Sequence, residues 1–433
     1  MSNLSNYVVS PLQTAVYHNP LSNLARNWEV TNTPFLFNHE VSGDFKITDQ
    51  KSSGRCWLFA TLNTLRFVAA ETWKNEMDTK DLEFSQSYLY FWDKYERYNQ
   101  YLRYFVEINS KSDSDDKCHQ FVNLCKDPLG DGGQWDMAKE IVKKYGIVPK
   151  KVYPDSYHAK ASAGMNSVLT EMLKQDWITL SKSSDVETLI TTMMVTVFNV
   201  LVSYLGKPPT TFDYEFTNKN KKPDVWKNLT PIQLLEKSGF NPEDWVSVVN
   251  DPRVENPYNK YYQVLYLGNV KSQHVGWLNV DINRLKELAV QSIDSNKPVW
   301  FGCDVGAHRD RDSGVHDVDI INYKQVLGLT NTMTKEDRLR YYHSVPSHAM
   351  VLTGYHSQVP EGKSKLSLER WKVENSWGSS NGINGYLLFT DRWFDEYVFQ
   401  VVVHKDLLTD DEKDQLSQVY KLINPWDPLG TLA

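Results

Sequence analysis

A turn that passes directly into an apolar helix sets the main constraint on this chain. Residues 50–59 read Gln-Lys-Ser-Ser-Gly-Arg-Cys-Trp-Leu-Phe. Ser52, Ser53 and Gly54 are turn formers. Beyond them Leu58, Leu62, Leu65 and Ala69 recur at amphipathic-helix spacing, so Cys56 stands where the turn ends and the helix begins. A thiol there faces unpaired N–H groups and the positive end of the helix dipole, which favour a thiolate. Gln50 lies six residues upstream (56 − 50 = 6), with a side-chain amide that can face the same point. A free cysteine is equally at home as a small core residue, so distant segments must decide its role.

With 433 residues the chain can build a large core and more than one domain. A net charge of −7 argues against a dedicated nucleic-acid binder. Lys219, Lys221 and Lys222 form a small basic cluster that reads as a solvated loop, so nucleic acid is a weakly supported partner. The four cysteines (Cys56, Cys118, Cys125, Cys303) show no metal-binding or disulfide spacing, and neither metal nor organic cofactor is expected. So few cysteines suit a reducing compartment, and the first residues do not read as a signal peptide; the expected location is the cytoplasm. Thr188 to Gly206 carries no charge over 19 residues. Thr188, Thr192, Thr196, Asn199 and Ser203 draw a polar stripe along it, which predicts a buried or interface helix and no membrane span.

Residues 1–45 read as an N-terminal extension with little regular patterning, and 46–159 as a helix-rich, aromatic region containing Asp131-Gly-Gly-Gln-Trp-Asp-Met-Ala138. The adjacent glycines Gly132 and Gly133 suggest a backbone that something approaches closely. Helical patterns dominate 160–290, with a capping box at Thr230 and Gln233. Residues 291–408 are strand-like: Pro298 to Cys303, Ser347 to Tyr355, Trp371 to Trp377, Gly385 to Phe389 and Tyr397 to Val403. Over 409–433, a second capping box at Thr409 and Glu412 opens a final helix to about Lys421. The prolines after it predict an extended arm.

A catalytic thiol needs a base and a group to orient that base. His348 starts an apolar strand at what reads as a cleft edge, and Asn375 ends another just before Trp377. An amide oxygen can fix the imidazole tautomer, and Trp377 can shield that hydrogen bond. His308 and His316 lie among five aspartates, a pattern read as a solvated acidic loop. Gly378-Ser-Ser-Asn-Gly382 matches a serine-hydrolase pattern at Ser380, but a strand-like segment follows where that motif needs a helix.

The full set resembles the papain-like cysteine peptidases. Gln50 with Cys56, Trp57 and Phe59, His348-Ala349, Asn375-Ser-Trp-Gly378, and Gly132-Gly133 stand in that family's order. Cys56 and His348 are 292 apart (348 − 56), against about 130–150 in papain-like enzymes, so 160–290 reads as an insertion. Within the superfamily the chain is similar to the bleomycin hydrolase and aminopeptidase C branch, through Gln50 to Trp57, Glu83 to Gln86, Phe91 to Lys94, Asp131 to Met137, Trp300 to Gly306, Val373 to Gly378 and Trp426 to Gly430.

The resemblance implies an α+β, papain-like fold, with a helical half, a β-barrel-like half, a large helical insertion and an extended C-terminal arm. It implies catalytic Cys56, His348, Asn375 and Gln50, and substrate contacts at Gly132, Gly133, Trp377 and Ala433. It also implies a homohexamer acting on peptide substrates. An arm lying in the cleft would let the Ala433 carboxylate pair with a substrate's α-ammonium, which makes an aminopeptidase.

Overall fold

The computed structural model describes residues 7–271, 274–358 and 367–431. Its thirteen described strands are β1 (His39–Glu40), β2 (Phe212–Thr217), β3 (Pro223–Leu229), β4 (Trp245–Val249), β5 (Lys260–Val264), β6 (Gly276–Asn279), β7 (Val299–Cys303), β8 (Val315–His316), β9 (His348–Gln358), β10 (Ser367–Glu374), β11 (Tyr386–Thr390), β12 (Val398–His404) and β13 (Val419–Ile423). Strands β2 and β3 form a separate hairpin. The other eleven make one mixed sheet in the order β13-β5-β6-β4-β12-β7-β9-β10-β11-β8, with β1 also paired to β9.

Strand β9 is the hub of the sheet. Its first half pairs with β7, Cys303 facing His348 and Val299 facing Leu352. Its second half pairs with β1 through Tyr355 and Gly354, and its other edge carries β10. Residues 348–355 are all buried, as are residues 398–403 of β12. Strands covered on both faces read as continuous apolar runs, which is why these segments show little alternation.

The Cys56–Trp73 helix packs against β7 and β9 and against the helices Gln86–Ser110, Trp135–Tyr145 and Pro231–Ser238. It is buried on every side from Cys56 to Phe67, so the helix expected to show one apolar stripe is enclosed all round, with Thr61, Asn63, Thr64 and Arg66 buried among the apolar side chains. Two of its buried polar groups find nearby partners: Thr61 Oγ1 donates to Trp57 O (2.8 Å) and Asn63 Nδ2 to Thr48 Oγ1 (3.1 Å).

The expected helical insertion over 160–290 needs correction. Two long helices, Ala163–Leu180 and Val186–Leu205, do fill its first third. The rest supplies the β2–β3 hairpin and then β4, β5 and β6, which belong to the main sheet beside β12. Lys221, in the hairpin turn, pairs with Asp78. The Val186–Leu205 helix is long and apolar enough to span a membrane by composition. It packs against Gln86–Ser110 instead, and Thr188, Thr192, Thr196, Asn199 and Ser203 all face outward and are exposed.

The C-terminal region also departs from expectation. The Thr409 capping box is present, but its helix covers only Asp410–Gln415. Strand β13 then pairs in parallel with β5, and Pro428–Gly430 forms a short 3-10 turn where an extended arm was expected. In the N-terminal region, read as unpatterned, Pro11–His18 forms a helix with a capping box at Ser10 and Gln13.

Candidate active site

The sequence terminates the turn at Arg55 and starts the helix at Cys56 without a side-chain cap and without an acidic residue in the first turn. The positive end of the dipole is therefore left for other negative charge. Arg55 itself is fully buried and anchors the turn: Nε donates to Ser53 Oγ (2.9 Å), and Nη1 reaches Ser87 Oγ and Asp155 (both 3.2 Å). Burial works against the Asp155 carboxylate, but Arg55 and Lys150 hold it at about 2.

The second anchor is Asp131. Its carboxylate accepts from the Gly54 N–H (2.9 Å), Tyr90, Ser162 and Asn166, and Lys94 lies 3.3 Å away. Burial opposes the charge, yet Lys94 and these donors keep it well below the usual carboxylate range. Lys94 Nζ also donates to Leu129 O (2.6 Å) and Gly130 O (2.8 Å), while Arg97 donates to Gly130 O (3.0 Å) and Gly132 O (2.8 Å). Trp57 Nε1 donates to Asp131 O (2.7 Å). The 129–133 loop is thus fixed from below by the long helix and from the side by the helix that carries Cys56.

The two glycines of that loop differ in role. Gly132 lines the cleft. Gly133 is buried against the Trp57 indole, where an added Cβ would lie 2.4 Å from the ring. Its part is to let loop and helix meet, so of the two residues expected to contact substrate only Gly132 lines the cleft.

On the opposite wall, His348 enters from the start of β9 and Asn375 from the end of β10. His348 Nε2 lies 2.9 Å from Asn375 Oδ1, and the Ser376 N–H donates to the same oxygen (2.8 Å). Two donors on one atom identify it as the amide oxygen, so Nε2 carries a proton and Nδ1 is the free acceptor. Trp377 covers the imidazole, with ring centroids 4.7 Å apart. Cys56 Sγ is met by the backbone N–H groups of Ala349, Trp57 and Cys56, which puts the sulfur against the residue following His348. Gln50 completes the ring: Nε2 donates to Ser53 O (2.7 Å), Oε1 accepts from Ser376 (2.7 Å), and the second amide N–H is available to the cleft it lines.

Burial pushes the Cys56 thiol up to about 11 and the His348 imidazole down to about 4. Ionising either group alone leaves a net charge in a dry site. Moving one proton from Sγ to Nδ1 leaves none, so the two titrate as a pair that keeps a single proton across that interval. Burial of both groups thus works against the freely ionised thiolate that the helix start alone favours.

These groups line a cleft of about 690 Å³, with Asp131, Gly132, Arg309, His316, Ser347 and Trp377 among its walls. The C-terminal arm approaches it. Arg253 grips Asp427 through two hydrogen bonds (2.9 and 3.0 Å), and Leu429 and Gly430 are buried. Thr431 then donates to Pro346 O (2.9 Å), two residues before His348, while its carbonyl accepts from Gln134, next to Gly133. Thr431 therefore touches both walls. Ala433 lies outside the described residues.

Two alternatives from the sequence resolve differently. Ser380 sits exposed in a turn that leads into β11, without the strand–turn–helix that a serine nucleophile needs. The acidic loop around His316 is only partly solvated: Asp312 and Asp319 are exposed, but His316 is buried and pushed down to about 3 by burial, Asp310 is held by Arg26 (3.0 Å), and Asp317 by Arg392 (2.8 Å). Among the described residues no cluster of three or more His, Cys, Asp or Glu has metal-site geometry.

A family model described as the Peptidase C1-like family matches residues 3–430. The chain belongs to this family. It is 41% identical to aminopeptidase C of Lactococcus lactis subsp. lactis (strain IL1403) over 89% of this chain and 87% of that protein. It is 39% identical to bleomycin hydrolase of Gallus gallus over 97% of this chain and 93% of that protein. The crystal structure of PepW from Lactobacillus rhamnosis HN001 superposes with a TM-score of 0.90 at 37% identity, covering 100% of this chain and 97% of the other. These relationships place the chain in the bleomycin hydrolase and aminopeptidase C branch of the papain-like cysteine peptidases, with an α+β papain-like fold.

Residues missed in the sequence are those that hold the site from behind. Asp93, Lys94 and Arg97 lie on one face of a helix that reads as merely aromatic, and Arg66 and Glu374 are 308 residues apart. The only signal was a set of charged residues at i, i+1 and i+4 inside a strongly aromatic helix.

Proposed function

We propose that this protein is a cytoplasmic cysteine aminopeptidase of broad specificity that releases N-terminal residues from peptides and accepts bleomycin-like amides. The observation that carries the reading is the 2.9 Å contact of His348 Nε2 with Asn375 Oδ1, made beside a thiol at an uncapped helix start. In this mechanism Cys56 Sγ attacks the scissile carbonyl and its proton passes to His348 Nδ1. The Cys56 N–H and the spare Gln50 amide N–H stabilise the oxyanion, a donor of this kind contributing about 3 kcal/mol. Collapse breaks the C–N bond, and His348 returns the proton to the leaving amine. Water, deprotonated by His348, then releases the acyl group and restores the thiol.

The place of the cut follows from the arm. Thr431 is seated between Gln134 and Pro346, and the reading assigns the Ala433 carboxylate to the substrate α-ammonium. The reading also includes a homohexamer; exposed Tyr7, Val8, Tyr17 and Trp28 in the N-terminal region offer apolar surface for self-association.

Free and N-blocked aminoacyl fluorogenic substrates test this together. Wild type is expected to cleave the free forms, and Cys56→Ala to lose at least about a thousandfold in kcat. Removing Leu432 and Ala433 is expected to lower that activity and to open cleavage of blocked substrates. Equal cleavage of blocked and free forms by wild type would contradict the aminopeptidase reading.

A further inference from the structure

The leaving side of the cleft carries charge that the reaction described above does not use. His348 donates a proton to the leaving amine, so the leaving peptide exits past His348 and Trp377. The Arg309 guanidinium lies over the Trp377 ring, 5.8 Å from its centroid. Arg309 and Arg311 both line the catalytic cleft, and both also line an adjoining depression of about 560 Å³ that shares Gly306 and Asp310 with it. Space for a residue or two beyond the cut is therefore walled by two guanidinium groups.

Among the described residues these arginines have no carboxylate in ion-pair contact. Asp310 and Asp312, their neighbours in sequence, are both taken by Arg26 (3.0 and 2.9 Å), and Asp310 also accepts from Ser313 (2.7 Å). Asp304, the carboxylate that acts on Arg309, accepts instead from Ser344 (2.8 Å). Among the described residues neither Arg309 nor Arg311 makes an ion pair. Arg309 is only partly exposed, and burial and the charge of Arg311 hold it below the usual guanidinium value. Two like charges kept close, one half-buried and neither neutralised, are costly unless an anion visits them. A planar guanidinium fork suits a carboxylate in two-point contact.

We propose that Arg309 and Arg311 form a carboxylate-binding subsite on the leaving side, so that this peptidase favours substrates with a carboxylate on the first or second residue after the scissile bond. The inference rests on the aminopeptidase reading and deepens it. The carboxylate has two sources, the free C-terminus of a short peptide or an acidic side chain in a longer one.

Four substrates separate these possibilities: Leu-Gly, Leu-Gly-amide, Leu-Asp-amide and Leu-Asn-amide, compared by kcat/KM at low ionic strength. Wild type is expected to prefer the charged member of a pair about tenfold, as for one charge-assisted hydrogen bond at a half-exposed site. Ratios within a pair cancel any common loss of rate. The ratio is expected to fall toward unity in Arg309→Gln/Arg311→Gln, partway in Arg311→Gln, and with added salt. Preference in the glycine pair alone identifies the chain terminus, and preference in the aspartate pair alone identifies the side chain. Amides cleaved with no preference in wild type, or a preference surviving in the double variant, overturn the subsite while leaving the aminopeptidase reading intact. Failure to cleave any of the four overturns both.

Discussion

The two walls of the cleft are held by different physics. Behind Cys56 and Gly132, Asp131, Lys94, Arg97 and Asp93 form a network in which each charge has several partners and Gly130 O has two donors. Behind His348 and Asn375 lies the buried ion pair in which Arg66 Nη2 donates to Glu374 Oε1, while Arg66 Nη1 donates to Lys46 O (3.1 Å). Arg66 Nε and Glu374 Oε2 have no partner. Glu374 precedes Asn375, so this pair sits directly behind the amide that orients the base. The nucleophile wall is over-determined, whereas the base wall depends on sheet register and this pair.

Breaking each wall should expose that difference. Arg66→Ala leaves the Glu374 carboxylate buried without its partner, and urea unfolding is expected to show a loss of about 3–5 kcal/mol. Replacing both partners together, Arg66→Met with Glu374→Met, should recover most of that loss, because burial then costs no charge. Lys94→Met is expected to lose less than Arg66→Ala, since Arg97 and Trp57 still hold the loop. An equal or larger loss would overturn the claim of redundancy.

The next effect is in the reaction with an alkylating agent. A shared proton predicts a Cys56 alkylation rate that is steady near neutrality, falls on the acid side around pH 4 and rises only far above neutral, toward 11. Iodoacetamide kinetics across that range check it; a half-point near the free-thiol value of about 8.5 would mean that Cys56 titrates alone.

The smallest expected effect concerns stability against pH, where the walls have opposite signs. Asp131 is held below its ordinary 3.8, so its contribution is present above that value and is lost as acid protonates the folded state. Glu374 is pushed above its ordinary 4.5 by burial, with Arg66 opposing. It binds its proton more firmly when folded, so stability declines as pH rises from 4.5 through the raised value. Glu374→Gln should flatten the curve over that window, because the group that binds its proton more firmly when folded is gone. An unchanged slope would show that Glu374 is ionised throughout.

How much of this was legible in sequence follows from range. Cys56 at a helix start, the strand run from Val299 to Cys303 and the His348 strand are local patterns, and the structure contains them. The strand character of 245–279 was not legible, because β4 to β6 are short strands that join the sheet through β12, about 150 residues away, and so distant a pairing leaves no local period. The final helix was overextended because Val419 to Ile423 carries no breaker, and only its pairing with β5 makes it a strand. Gly133 was grouped with Gly132 because adjacency in sequence does not reveal that Trp57 occupies the space beside only one of them. The supporting charges were invisible for the same reason: a buried Arg66 is unremarkable until Glu374 arrives.

The central place of β9 has a consequence for biosynthesis. Its partners include β1, more than 300 residues earlier, and β10, which follows it. Cys56 leaves the ribosome long before His348 and Asn375 exist, and pairings so distant in sequence form late. A partly synthesised chain therefore holds a thiol without its base. On the proposed mechanism, hydrolytic power is gained only when His348 and Asn375 have been made and β9 has paired, so the nascent chain has no means to cut itself or its neighbours while it is still unfolded.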